Sequence, residues 1–169
     1  MGETVSTQFS PGADPRAFRS ALGQFGTGVC VITTQTELGQ DVGITANSFA
    51  SVSLDPALVL WSPAKAARRF EVYSEAKHTA IHILASDQAS VAMGFVKEAN
   101  AFGSLDVTRN AHGTPLIGGA LAVFECTRRA AHDAGDHVIL VDQVDVFHLS
   151  QGAPLLFTQG SYGGFTPHG

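Results

Sequence analysis

The sequence predicts a single, mainly β domain with short helices, arranged as a small barrel. Seven segments rich in β-branched and aromatic residues are bounded by glycine, proline or aspartate, which is typical of short strands. The length of 169 residues is that of one domain with one core. We therefore expect residues 14–165 to form the domain, preceded by a flexible N-terminal arm over residues 1–13 and followed by a tail over residues 166–169.

The first predicted element is a short helix that begins near residue 14. Asp14 is a suitable N-cap and Pro15 suits the first turn of a helix. Phe18, Leu22 and Phe25 follow at helical spacing and give the helix one apolar face. We expect this helix to pack through that face.

The remaining elements follow from the periodicity of apolar residues. Strands are expected at residues 29–34, 42–50, 58–62, 79–85, 121–127, 138–147 and 155–157. Helices are expected at residues 66–74 and 86–96, the second capped by Ser86. Its apolar stripe comprises Ala89, Ala92, Met93 and Val96. Seven strands of this length suit a small barrel.

Composition and charge exclude several classes of protein. Charged residues make up only 15% of the chain and hydrophobic residues 44%, which leaves room for a buried subunit interface and predicts a homodimer. A net charge of -5 argues against nucleic-acid binding, which needs a broad basic surface. The chain shows neither a bilayer-length apolar run nor a secretion signal, and we expect a cytoplasmic protein with no membrane partner.

The cysteines and histidines show no recognisable metal-ligand pattern. Cys30 and Cys126 each lie in an apolar, strand-like run and are expected to be core residues rather than a disulfide. His78 and His82 share one strand face, where solvent or core hydrogen bonds are the usual environment. Another possible ligand group is His132, Asp133, Asp136 and His137. We expect no metal at either place.

Two common catalytic motifs are also missing from the sequence. No Gly-x-Ser-x-Gly motif follows a predicted strand, so a serine hydrolase is not supported. No Gly-x-Gly-x-x-Gly motif opens a helix, so a nicotinamide nucleotide would not bind a Rossmann domain. Any such nucleotide has to share a cleft with another ligand.

The stretch VGITANSFASVSLDP at residues 42–56 is unusually rich in small polar side chains for a buried strand. Apolar and polar residues alternate up to Asn47, and this alternation breaks at Ser48 and Phe49. Irregular strands of small residues let a ligand approach the main chain and are frequent beside active sites. One interpretation is therefore a pocket for a flat polar ligand, and the other is a serine-rich edge strand with a bulge.

A cluster of cations follows the predicted strand at residues 58–62. Lys65, Arg68 and Arg69 account for three of the ten lysines and arginines and lie at the start of a predicted helix. Unpaired backbone N–H groups and the helix dipole favour an anion at such a place. The cluster predicts a phosphate site, the alternative being a solvated helix face.

A Gly-Asp turn precedes the long apolar strand predicted at residues 138–147. His137 comes directly after Gly135 and Asp136, on the same strand face as Ile139 and Val141. Near the mouth of a barrel its imidazole would reach a bound ligand. The alternative is a histidine that caps the turn or bonds Asp136.

Five stretches together resemble the flavin reductase family. These are FRSALGQFGTGV (18–29), VGITANSFASVSLDP (42–56), LVLWSP (58–63), GGALAVFEC (118–126) and GDHVILV (135–141). The resemblance covers residues 18–162 and implies the FMN-binding split β-barrel, a fold of Greek-key type. It also implies an NAD(P)H:flavin oxidoreductase that transfers hydride from NADH or NADPH to FMN or FAD, with a separate monooxygenase as the consumer of the reduced flavin.

The resemblance also implies the site residues. His137 is expected to hold the nicotinamide. The flavin is expected to lie against residues of the first strand pair and the cation cluster, namely Thr45, Ala46, Asn47, Ser48, Ser62, Lys65, Ala67 and Arg68. Family members commonly carry serines where this chain has Ala66 and Ala67. That departure keeps open a non-catalytic flavin- or heme-binding protein, and a flavoenzyme that uses bound FMN on an organic substrate is a third possibility. Tyr162 is expected either to cover the cleft or to lie on a free surface terminus.

Overall fold

A computed structural model describes residues 7–167 of the chain. Parts of the predicted N-terminal arm and tail, residues 1–6 and 168–169, lie outside the described residues. The helices are α1 Pro15–Leu22, α2 Phe70–Glu75 and α3 Ala89–Lys97. The strands are β1 Thr27–Gly28, β2 Cys30–Gln35, β3 Asp41–Ala46, β4 Ala50–Leu54, β5 Ala57–Trp61, β6 His78–Ile83, β7 Val107–Arg109, β8 Pro115–Ile117, β9 Ala122–Ala134, β10 His137–Leu149, β11 Leu156–Thr158 and β12 Ser161–Gly163.

The fold is organised by one antiparallel sheet of seven strands in the order β3-β2-β6-β9-β10-β5-β4. Its two edge strands, β3 and β4, follow each other in the sequence and are joined only by residues 47–49. Four residue steps span at most about 14 Å, so the sheet has to curl until its edges come together. β3 and β4 do not pair in this sheet, and the barrel is therefore split along a seam that residues 47–49 cross.

The interior of the barrel combines large apolar side chains with one buried ion pair. Trp61 and Tyr73 are fully buried and pack edge to face. The Trp61 indole N–H donates to Asp142 Oδ2 over 3.3 Å, and Arg128 Nε donates to Asp142 Oδ1 over 2.5 Å. The Tyr73 hydroxyl donates to the carbonyl of Ile32 over 2.7 Å. These buried polar groups are thus hydrogen-bonded, which avoids the cost of desolvating them alone.

A second layer of the core lies between β3 and α3. The Phe95 ring is fully buried, and a Cβ atom at Gly43 would lie 2.4 Å from its Cε1 atom. Glycine at position 43 therefore allows the helix to approach the strand closely. The Thr45 hydroxyl donates to the carbonyl of Ala92 over 2.6 Å and fixes the helix against the strand.

Helix α1 forms as predicted, but its apolar face is left open by the described residues 7–167. Asp14 Oδ1 accepts the N–H of Ala17 over 2.9 Å, and Pro15 lies in the first turn. The expected packing face does not pack: Leu22 is 61% exposed and Phe25 78% exposed, and no residue of the helix is buried. An exposed apolar face of this kind is typical of a surface that another molecule covers.

The other predicted elements are present with shifted boundaries. Each of the seven predicted strands occurs, and residues 7–167 contain five more, β1, β4, β7, β8 and β12. The predicted helix at residues 66–74 begins only at Phe70 because residues 66–69 form turns. Ser86 is not the cap of α3; the N-cap is Gln88, whose Oε1 accepts the N–H of Ala85 over 3.0 Å.

The cysteines and the core histidine occupy the environments that the sequence predicts. Cys30 and Cys126 are buried free thiols, and burial raises the pKa of Cys30 to about 12. His82 is fully buried and uses both ring nitrogens, Nδ1 with the carbonyl of Val31 and Nε2 with the N–H of Ile117, each over 3.0 Å. Because Nε2 faces an N–H donor, the proton of the neutral ring lies on Nδ1. Burial lowers the pKa of His82 to about 4.

Residues 7–167 contain no helix long and apolar enough to cross a membrane.

Candidate active site

The seam of the barrel exposes main chain on β3. The N–H of Gly43 donates to the carbonyl of Ala99 over 2.8 Å, away from the neighbouring strand β2. Main-chain groups alternate in direction along an antiparallel strand, so those of Thr45 also point away from β2 and into the seam. The regular strand ends at Ala46, and the predicted break around Ser48 is confirmed. The main-chain groups of Thr45 are therefore directed to where the sequence predicts a flat polar ligand, whereas those of Gly43 are already bonded to Ala99 and Arg69.

Two adjoining cavities open along this part of β3. The first, of about 240 Å³, is lined by Ile44, Thr45, Ala67, Arg68, Arg69, Phe95 and Val96. The second, of about 160 Å³, is lined by Val29, Thr45, Ala46, Asn47, Val96, Phe157 and Tyr162. They share Thr45 and Val96 and so form one cleft with a cationic end and an aromatic end.

The two arginines at the cationic end have different roles. Arg69 Nη1 donates to the carbonyls of Gly43 and Phe95 over 3.0 and 2.5 Å and ties the segment before α2 to the edge of β3 and to α3. The exposed guanidinium of Arg68 makes no hydrogen bond or ion pair with any residue between 7 and 167. Arg68 therefore keeps all its donors for an anion, whereas Arg69 shapes the wall of the cleft.

Ser48 and Ser62 join the seam crossing to the end of β5. The hydroxyl of Ser48 accepts the N–H of Ser62 over 3.0 Å and lies 3.3 Å from the Ser62 carbonyl oxygen, to which it donates. The pair fixes the irregular segment that follows β3. Asn47, between this pair and the regular strand, is exposed and lines the aromatic part of the cleft.

The β9–β10 hairpin carries the predicted histidine. Ala134 pairs with His137, and Gly135 adopts a left-handed φ of 70° that a two-residue turn requires. His137 Nδ1 lies 2.7 Å from Asp136 Oδ1, and the imidazole holds the pKa of this carboxyl below its ordinary value. The turn itself is as the sequence predicts, and the bond to Asp136 is the second interpretation offered for this histidine.

Lys65 is bonded to this hairpin. Its ammonium contacts the Asp133 carboxylate and donates to the carbonyl of Gly135 over 2.6 Å. Its own N–H donates to the carbonyl of Asp136 over 2.9 Å. The residue directly before it, Ala64, bridges to His137. The segment that leaves β5 therefore contacts the hairpin tip through both main chain and side chain.

Strands β11 and β12 form part of the cleft. β12 pairs with β11, and the rings of Tyr162 and Phe157 have centroids 5.4 Å apart. Both rings line the second cavity. A free surface terminus at Tyr162 is therefore wrong, because pairing with β11 holds this segment against the barrel.

The structure brings most of the sequence-derived site residues to one side of the barrel. Those that line the cleft are Thr45, Ala46, Asn47, Ala67 and Arg68. Ser48 and Ser62 lie beside it as a bonded pair, and Lys65 and His137 belong to the hairpin contact. Sequence reasoning counted Arg69 in the cation cluster but not among the flavin-binding residues, and it did not assign Phe95 and Phe157 to the site. The adjacent arginines gave one signal, but the two phenylalanines look like ordinary core residues.

An open barrel with strand main chain, a guanidinium and aromatic rings along one cleft has the groups that suit a flat anionic ligand. The comparisons with known proteins agree. The family model described as "Flavin reductase like domain" matches residues 22–166. The chain is 52% identical over 159 residues to "FMN reductase (NADH) SmoA" of Agrobacterium fabrum, a match that covers 94% of this chain and 91% of SmoA.

A second relative and a solved structure extend the comparison. The reductase component of the flavin-dependent trigonelline monooxygenase of Acinetobacter baylyi is 44% identical over 153 residues, and the match spans 90% of this chain but 49% of that longer protein. The Streptomyces globisporus NADH:FAD oxidoreductase SgcE6, solved with NAD and FAD fragments, superposes with a TM-score of 0.88 at 32% identity over 96% of this chain and 98% of SgcE6.

The chain therefore belongs to the flavin reductase family. The predicted split barrel and the predicted class, a flavin reductase, are confirmed at this level. Its relatives include reductase components of two-component monooxygenases.

Proposed function

We propose that this chain reduces FMN with NADH and releases the reduced flavin to a separate monooxygenase. The observation that carries the proposal is the joined cleft, which has a guanidinium at one end, β3 main chain in the middle and two aromatic rings at the other end. The choice of NADH and FMN is supported by the similarity to SmoA. NADPH and FAD remain the competing substrates to be tested.

The cleft has the donors and the shape that FMN needs. Arg68 would hold the phosphate, together with main-chain groups of residues 66–69 where this chain lacks hydroxyl side chains. The ring would lie along Thr45, Ala46 and Asn47 and the Ser48–Ser62 pair. Each cavity is smaller than a typical ligand pocket of about 300–1,000 Å³, so a flavin would span both and project along the seam.

The protein's share of the chemistry is binding and orientation. A bound flavin supplies the ring that accepts hydride. Main-chain N–H groups at the seam would favour the negative charge of the reduced ring, and His137 would orient the nicotinamide against it. His137 is suited to this task because its side chain is 43% exposed at the hairpin tip.

We propose that two copies of the chain form a dimer. The edge strand β4 and the distal half of β10 expose large apolar side chains, with Leu54 97%, Phe147 66% and Leu149 74% exposed. Exposed apolar residues at this density are typical of an interface, and β4 is in addition an edge strand that another chain could cover. Sedimentation velocity should give twice the monomer mass for the wild-type protein, and the mass of one monomer for Phe147→Asp.

We also propose that the protein is located in the cytoplasm, where free thiols such as Cys30 and Cys126 are usual.

The decisive experiment is NADH oxidation by the purified protein. NADH and NADPH are each combined with FMN and FAD, and kcat/KM is compared for the four pairs. We expect the pair NADH and FMN to give the highest value. Lack of oxidation with all four pairs would reject the proposal.

A second measurement distinguishes a released flavin from a bound one. After gel filtration, the absorption spectrum of the protein shows whether flavin remains bound. The reaction is then run under anaerobic conditions, the protein is filtered off, and reduced flavin is assayed in the filtrate. We expect reduced FMN in the filtrate. Flavin that stays bound through turnover would indicate the flavoenzyme with its own organic substrate.

A further inference from the structure

The contact between Lys65 and the hairpin is unusually complete for one lysine on a surface. Its ammonium contacts two groups on the hairpin, the Asp133 carboxylate and the carbonyl of Gly135. Its N–H adds a bond to the carbonyl of Asp136. Both donor groups of Lys65, the ammonium and the main-chain N–H, are therefore bonded to residues of the hairpin tip.

This contact lies next to the predicted nicotinamide residue. His137 follows Asp136 directly, bridges to Ala64 and is followed by Val138, whose N–H donates to the carbonyl of Pro63 over 3.1 Å. The His137 ring is itself 43% exposed and bonded only to the neighbouring Asp136 among residues 7–167. Its position is therefore set by the backbone of the tip, and the backbone of the tip is held by residues 63–65.

The cleft does not need Lys65 for its charge. Arg68 lines the cationic end, and Lys65 lines neither cavity within residues 7–167. A lysine that neutralises Asp133 is also less available to a phosphate than a guanidinium with all its donors unused.

We infer that Lys65 is a positioning residue for the nicotinamide: it holds the β9–β10 tip, and through it His137, against the segment that leaves β5. This role rests on the proposed reduction of FMN by NADH. It differs from the phosphate-binding role that the family resemblance implies for Lys65. Loss of the contact should loosen the tip and weaken the productive binding of NADH, while FMN binds as before.

The test is a double-mutant cycle on the ion pair, with Lys65→Met, Asp133→Asn and the double variant. Lys77→Met is the matched control, because Lys77 is an exposed lysine remote from the hairpin tip in the sequence and outside the cleft lining. Three quantities are measured for each variant: the KM for NADH at saturating FMN, the Kd for FMN from quenching of flavin fluorescence without NADH, and hydrogen exchange of the Lys65 and Val138 amides.

We expect Lys65→Met to raise the KM for NADH about five-fold, the scale of a charge-assisted surface contact. Asp133→Asn should also raise the KM for NADH. The KM of the double variant should be no higher than that of Lys65→Met. Exchange of the two amides should become faster in Lys65→Met, and the Kd for FMN should stay within about two-fold of the wild-type value. Lys77→Met should match the wild type in all three measurements.

The contrary result is equally specific. A higher Kd for FMN in Lys65→Met, with unchanged amide exchange and no effect of Asp133→Asn, would make Lys65 a phosphate ligand and overturn the inference. If the wild-type protein does not oxidise NADH at all, the proposed function fails, and the positioning role fails with it. Amide exchange then still shows whether the contact holds the tip, so the two failures are distinguishable.

Discussion

Two histidines of this chain show how its closed core differs from its exposed hairpin tip. His82 is fully buried, and both of its ring nitrogens are bonded to main-chain groups of other elements. His137 stands on a hairpin tip with one nitrogen bonded to the adjacent Asp136 and 43% of its side chain exposed. His82 therefore has no free ring nitrogen for a ligand, whereas the imidazole of His137 has an exposed edge.

The same difference separates the two arginine sites. Arg128 is held by Asp142 and the carbonyl of Tyr73 inside the barrel, whereas Arg68 faces the cleft with its donors available. Polar groups with all partners inside the protein stabilise the fold, and groups with spare donors or acceptors are the candidates for binding. Each prediction below tests one side of this distinction.

The largest expected effect is on stability, from removal of the buried carboxylate. Asp142→Ala would leave Arg128 charged and unpaired and the indole N–H of Trp61 without an acceptor. We expect the free energy of unfolding to fall by about 3–5 kcal/mol. Urea unfolding measures this loss, with the exposed Asp87→Asn as control at less than about 0.5 kcal/mol. A loss as small as that of the control would mean that the core network is dispensable.

The next effect is the pH dependence that His82 imposes. Burial lowers its pKa from 6.5 to about 4, so between these values the unfolded chain binds a proton that the folded protein does not. The contribution of neutral His82 to the free energy of unfolding is thus fully present above pH 6.5. It falls by about 3 kcal/mol as the pH drops towards 4. Urea unfolding at several pH values should show this decline.

The control for the pH series is His82→Leu. It should be less stable at pH 7, since Val31 and Ile117 lose their partner. Its decline between pH 6.5 and 4 should be shallower and reflect His78, whose pKa burial also lowers. An unchanged slope would show that His82 is not the titrating group.

The cleft variants should affect binding rather than folding. Arg68→Ala should raise the Kd for FMN about tenfold, because one charge-assisted contact to the phosphate is lost, and leave urea unfolding unchanged. Arg129→Ala removes an exposed arginine of β9 that lines neither cavity and serves as control. Fluorescence quenching gives both values. Equal affinity of the two variants would exclude Arg68 from the phosphate site.

The smallest effect is expected from the exposed imidazole. His137→Ala should raise the KM for NADH about five-fold while FMN affinity and unfolding stay near wild type. His148→Ala is the matched control, since His148 is also an exposed histidine paired with a carboxylate, Glu125, at the far end of β10. Steady-state kinetics separate the two. If folding, FMN affinity and NADH use fall together in His137→Ala, the histidine is structural.

Much of the fold could be predicted because its signals are local. The strand periodicities, the Asp14 cap and the broken alternation at Ser48 are properties of consecutive residues, and the structure contains all three. The late start of α2 could not be predicted in this way. Arg69 is turned towards the carbonyls of Gly43 and Phe95, which are distant in sequence, and this long-range contact takes residues 66–69 out of the helix.

The site divides along the same line. The residues of β3 that line the cleft were found from one short stretch of sequence. The contact of Lys65 with Asp133, in contrast, joins positions 68 residues apart and carries no sequence signal. Likewise, the exposed face of α1 looks like a packing face in the sequence, and only the structure shows that residues 7–167 leave it uncovered.

The burial of both thiols affects how readily the protein is oxidised in air. Reduced flavin that escapes into aerated solution reacts with dioxygen and generates hydrogen peroxide, which attacks thiolates in preference to thiols. Cys30 donates its S–H to the carbonyl of Ala46, directly behind the cleft, yet burial keeps it protonated at neutral pH, and Cys126 is likewise shielded. The proposed release of reduced FMN would therefore expose no reactive thiol of this chain to peroxide.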